Sequence, residues 1–78
     1  MMHLDIITPE KNVYSGEVEM VNLPGSDGSF GILKDHAPIV STLKEGEIKV
    51  VEAGGEKTFP VKGGVVEVNN NKVIVLAE

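Results

Sequence analysis

The chain has 78 residues, no cysteine, and a net charge of −5 from seven basic and twelve acidic residues. All seven basic residues are lysine, which speaks against nucleic acid, whose binding calls for a basic face and usually arginine, and against an anionic lipid surface. No apolar run nears the ~20 residues of a membrane span, and Met1–Asp5 lacks the basic and apolar regions of a signal peptide, so neither is expected.

A chain of this length is expected to be one domain, residues 1–78, burying ~60% of its unfolded surface. Residues 3–8 read as a first strand, ended by Pro9. Residues 12–15 follow as a short strand or turn closed by Gly16. Residues 17–20 alternate polar and apolar, the period of a half-buried strand. Val21 and Leu23 change that phase, which predicts a bulge or burial on both sides. Pro38–Leu43 is the next apolar run. Residues 48–53 and 57–62 read as strands flanking a Gly54-Gly55 hairpin signal, with Pro60 marking an edge or a bulge. Residues 65–68 and 72–77 are the last two, joined by a turn of three asparagines. No window keeps helical spacing. Short strands with a turn every 8–12 residues predict an all-β sandwich or barrel of about nine strands. Its core should hold Ile48, Val50, Phe59, Val66, Val68, Val73 and Val75, apolar on alternating positions.

Between these strands lies the most structured stretch of punctuation, Leu23-Pro24-Gly25-Ser26-Asp27-Gly28-Ser29-Phe30-Gly31-Ile32-Leu33. Pro24-Gly25 and Asp27-Gly28 are turn dipeptides, and Phe30, Ile32 and Leu33 supply apolar anchors. A shaped protrusion on a β body is expected there. The glycines at 25, 28 and 31 match neither a dinucleotide fingerprint nor a phosphate loop. Ser26, Ser29, Asp35 and His36 offer triad chemistry by type, but no nucleophile elbow frames either serine. Asp35 and His36 are neighbours that an extended backbone points apart. His3 and Asp5 share a strand face, yet a metal centre needs three or four ligands. The glutamates at 17, 19, 45, 47 and 52 fit solvent faces and turns. No catalytic residue, metal site or cofactor is expected.

That glycine-rich stretch, followed by His36-Ala37-Pro38-Ile39, resembles the epsilon subunit of F-type ATP synthases, called delta in mitochondria. Thr8-Pro9-Glu10-Lys11 and Tyr14-Ser15-Gly16-Glu17-Val18-Glu19 are similar to the family's opening. Gly63-Gly64-Val65-Val66-Glu67-Val68 and Val73-Ile74-Val75-Leu76-Ala77-Glu78 are similar to the close of its β domain. The resemblance implies a two-sheet antiparallel β-sandwich of about nine or ten short strands. It implies a non-catalytic central-stalk subunit that joins the gamma subunit to the polar loops of the c-ring and couples proton transport to ATP synthesis. It places c-ring contact at Asp27, Gly28, Ser29 and Phe30, and gamma contact at His36, Ile39 and Ser41. Family members often carry a second acid where this chain has Ser29, which leaves Asp27 as the acidic member. They usually read Pro-Gly where this chain has Lys34-Asp35. Many continue into a helical hairpin that in some binds ATP; this sequence stops at Glu78, so no hairpin and no nucleotide binding are expected of it. The implied location is the cytoplasmic face of the bacterial cell membrane, peripheral and without insertion. The competing expectation is a free-standing β-sandwich binding module, but such sites draw on exposed aromatics, and here there are two Phe, one Tyr and no Trp.

Overall fold

The computed structural model describes residues 2–78. Nine strands follow in order: β1 (Met2–Ile7), β2 (Asn12–Val18), β3 (Met20–Gly25), β4 (Gly28–Leu33), β5 (Ile39–Leu43), β6 (Gly46–Glu52), β7 (Gly55–Val61), β8 (Gly64–Asn69) and β9 (Lys72–Ala77). The described residues contain no helix.

The hydrogen-bonded order is β2-β1-β9-β8-β5-β3-β6-β7, with β4 on the free side of β3. One layer is β2, β1, β9, β8 and β5; the other is β4, β3, β6 and β7. The path turns between them at a single pairing, Gly25 with Leu43. The layers meet again at the opposite rim, where β2 packs on β6. Tyr14 hydrogen-bonds Glu52 there. Its ring lies 5.3 Å from that of Phe59, with the Lys57 ammonium 5.6 Å above it. The chain is therefore one curled sheet closed into a sandwich.

Alternation explains the core. Leu4 and Ile6 of β1, Ile48 and Val50 of β6, Val66 and Val68 of β8, and Val73 and Val75 of β9 point inward and are buried, while their neighbours face out. Met2, Val18, Val21, Leu23, Ile32, Leu43, Val61 and Ala77 complete that interior. Pro60 lies in β7, an end of the sheet order, where its missing N–H breaks no inner ladder.

Two features differ from the sequence reading and a third sharpens it. Phe59, expected in the core, is half-buried, because β7 is an edge strand and its ring closes the rim against Tyr14. The phase change at Val21 follows a two-against-one step, as a bulge would give: the Glu19 N–H donates to the Val51 carbonyl while the next residue, Met20, pairs with the same Val51. Val18 ends one strand and Val21 begins the inward series of the next. The ladders are antiparallel as expected except that β1 runs parallel to β9.

Candidate functional site

The protrusion is the β3–β4 hairpin. Gly25 pairs with Gly28 across the two-residue turn Ser26-Asp27. Gly28 has φ +131°, a conformation that suits glycine. Gly25 has a steric role: a Cβ there would stand 2.7 Å from a ring carbon of Phe30, so the aromatic ring lies directly on the glycine. The base of the turn is fastened to the neighbouring strand. The Ser26 N–H donates to the Thr42 carbonyl at 3.0 Å, and the Lys44 N–H to the Pro24 carbonyl at 2.9 Å. The Ser26 and Thr42 hydroxyls are 2.8 Å apart. Asp27, Gly28 and Ser29 are exposed, while Phe30 is half-buried. Of these four residues, three form a polar tip with a single carboxylate, and the fourth anchors it.

The second set, His36, Ile39 and Ser41, follows β4. Asp35 takes φ +64°, the left-handed region that few residues other than glycine, asparagine and aspartate enter readily. Asn71 of the β8–β9 turn holds it there. Its Oδ1 accepts the Asp35 N–H at 2.8 Å, and its Nδ2 donates to Asp35 Oδ1 at 3.2 Å. The His36 N–H donates to the Leu33 carbonyl, and His36 Nδ1 lies 2.7 Å from the Ala37 carbonyl, so this nitrogen carries the proton.

On β5, Ile39 and Ser41 oppose the buried Val68 and Val66 and are themselves half-buried. Val40 between them is 71% exposed. Val65 and Leu76 are also exposed on this outer face, in the register Thr42–Val65–Leu76–Ile7 across four strands. The resemblance singles out Ile39, which is half-buried; the apolar side chain of β5 most offered to solvent is its neighbour Val40. A shallow groove of about 350 Å³ runs between Pro38–Val40 and Glu67–Asn69 beside it.

The reactive residue types are kept apart. Ser26 bonds Thr42, Asp35 bonds Asn71 and His36 faces Ala37. Among the described residues no three His, Asp or Glu side chains are grouped to hold a metal ion. A second groove, about 480 Å³, carries Glu45, Glu47 and Glu78 against Lys62, a lining that repels anions.

One charged cluster required the register to be seen. His3 has Nδ1 2.9 Å from Glu17 of β2 and Nε2 3.2 Å from Asp5. Only the imidazolium donates from both nitrogens. The Glu17 hydrogen bond foremost, then Asp5, raises the His3 pKa. The Ser15 hydroxyl first, and His3 after it, hold Asp5 below its usual value. At the closing rim, burial and then Glu52 push Tyr14 up to about 12, while Tyr14 and then Lys57 lower Glu52.

Residues 1–78 match a family model described as the ATP synthase delta/epsilon chain, β-sandwich domain. The ATP synthase epsilon chain of Caulobacter vibrioides is 40% identical over 77 residues, covering 99% of this chain and 90% of that relative. That of Desulforamulus reducens is 48% identical over 75 residues, covering 96% of this chain and 57% of the relative. The chain thus spans most of one relative and little more than half of the other. Among solved structures, a chain of the Euglena gracilis mitochondrial ATP synthase superposes with TM-score 0.91 at 22% identity, covering 97% of this chain and 49% of its own. A chain from the Tetrahymena thermophila mitochondrial ATP synthase central stalk and c-ring gives 0.83 at 18%, covering 97% and 62%. At these identities the likeness is one of fold.

Proposed function

Because this chain belongs to the ATP synthase delta/epsilon family, as its β-sandwich domain, we propose that it works in the central stalk of an F-type ATP synthase, joining the gamma subunit to the c-ring. Its work there is mechanical coupling of proton transport to ATP synthesis, and it performs no chemistry of its own. The complex holds it at the cytoplasmic face of the bacterial cell membrane; no described helix is long and apolar enough to cross one.

The observation that carries this reading is the family match over residues 1–78. The two surfaces support it. The hairpin tip of Asp27, Gly28 and Ser29, seated on Phe30, is assigned to the c-ring. Its fastening to Thr42 and Lys44 suits a contact that must transmit torque without folding back. The loop at His36, continuing through Ile39 and Ser41 to the exposed Val40, is assigned to gamma. A gamma-facing surface should expose a contiguous apolar patch, and Val40, Val65 and Leu76 supply its members.

The test is reconstitution. The chain is mixed with gamma and with c-ring-containing membranes of its own organism stripped of their own copy of this subunit. Expected are a stable complex with gamma and recovery of ATP synthesis coupled to the proton gradient. Failure to bind either partner overturns the proposal.

A further inference from the structure

We propose that β4 is an open sheet edge onto which the gamma subunit adds one extended strand, uncharged along its middle and free of acidic residues where it passes Asp27 and Asp35. This rests on the reading that the chain docks on gamma.

Among the described residues β4 pairs with β3 alone. Which of its backbone groups remain free follows from parity. The Pro24 carbonyl accepts from Lys44, on the side of β3 away from β4, and Pro24 has no N–H to give. Pro24 and its partner Ser29 are therefore a pair whose backbone groups point away from each other. Alternation then turns Ser29, Gly31 and Leu33 outward. Ser29 and Gly31 are left with a free N–H and carbonyl each, and Leu33 with a free N–H, its carbonyl being taken by His36. All three residues are exposed.

The other two edges carry the usual protection against strand addition. β7 holds Glu56, Lys57 and Pro60; β2 holds Glu17 and a register shift at Val13. Gly28-Ser29-Phe30-Gly31-Ile32-Leu33 has no charge, no proline and an unbroken register. A second copy of this chain is a poor occupant. The antiparallel self-pairing that satisfies all three outward residues sets Gly31 opposite Gly31. It then places Asp27 opposite Asp35 at both ends, and like charges so placed repel. Gamma is favoured by position. β4 runs from the hairpin tip assigned to the c-ring directly into the loop assigned to gamma, so its edge is continuous with both surfaces. Strand addition by main-chain hydrogen bonds is a general recognition mode for such an edge.

Amide hydrogen exchange on the free chain and on its complex with gamma provides the test. Expected is rapid exchange at Ser29, Gly31 and Leu33 in the free chain, slowed by about tenfold or more on binding. The variant Gly31→Pro removes an outward N–H, and Gly31→Ala is its control, since a Cβ there meets nothing nearer than the Val21 carbonyl at 3.9 Å. Gly31→Pro should weaken gamma binding about tenfold or more, and Gly31→Ala little. Should the proline variant misfold, exchange on the unaltered chain still decides. A complex with gamma in which all three amides stay rapid overturns strand addition and leaves gamma docking standing. No complex at all overturns both. Protection of the same amides without gamma, in a dimer of this chain, makes the second copy the occupant and also overturns the inference.

Discussion

Gly64→Ala should damage the sandwich severely, although it adds only a methyl group. Gly64 begins β8 between two ladders, paired with Leu43 of β5 and Ala77 of β9. Its φ is +146°, and a Cβ built on it would stand 2.3 Å from the Leu76 carbonyl oxygen and 3.0 Å from the Ala77 Cα. Both obstacles are backbone, so no side-chain rotation relieves them, and β8 cannot step aside without parting from β5 or β9. Backbone strain of this kind costs ~1–3 kcal/mol, and overpacking another ~1–3 kcal/mol. A chain of this size holds only ~4–12 kcal/mol of stability. With ~4–8 °C lost per kcal/mol in small domains, the melting temperature should fall by at least ~8 °C. Gly54→Ala is the matched control: its φ is not positive and nothing lies within 4 Å of its added Cβ. It should be neutral or stabilising by ~0.4–1 kcal/mol. Thermal melts followed by far-ultraviolet circular dichroism read both. A Gly64→Ala variant melting within about 3 °C of the parent chain would refute the argument.

Ile48→Ala, at a fully buried site, should cost ~2–5 kcal/mol in urea unfolding, and Phe59→Ala less than the ~3–5 kcal/mol of a buried phenylalanine. Because His3 has a raised folded pKa, its contribution is complete below the unfolded value of 6.5 and is lost as pH rises through the folded value. Asp5 and Glu52 have lowered pKa values, so theirs is present above 3.8 and 4.5 and is lost on acidification. Melts across pH should peak between these limits, and His3→Gln should flatten the alkaline limb while softening the acid limb only in part, because the Ser15 hydroxyl still holds Asp5 down. Asp27→Lys should leave the melt unchanged and weaken binding to c-ring membranes modestly, by ~1 kcal/mol or less, with salt removing the difference; equal binding at low salt counts against the tip assignment.

Most of the sandwich is legible in the sequence because its strands alternate cleanly. Ile48, Val50, Val66, Val68, Val73 and Val75 can be assigned inward from spacing alone. What escapes depends on partners far away in sequence. The β2–β3 boundary is set by Glu19 bonding Val51, which no local pattern carries. Phe59 reads as core until β7 is known to be an edge. The hairpin tip is visible because Pro, Gly and Asp specify its backbone locally. The His3 cluster is half visible: the shared face with Asp5 follows from spacing, but Glu17 arrives only through register. Which side chains of β5 face out is not written in Pro38–Leu43 itself, since parity there is decided by pairing with β8, which leaves Val40 outward.

The parallel pairing of β1 with β9 has a kinetic consequence. β1 and β2 are neighbours in sequence and leave the ribosome together, but the strand that lies between β1 and β8 is the last of the nine to emerge. His3 must find Lys72, and Ile7 must find Leu76, at nearly the full separation the chain allows. Closing so long a loop is entropically dear, and topologies dominated by distant contacts fold in milliseconds to seconds rather than microseconds. Until β9 slots into place, the inward faces of Leu4 and Ile6 stay open to water and to other nascent chains. The rate-limiting step of folding should therefore be insertion of the final strand, and slowing it should raise aggregation before it lowers equilibrium stability.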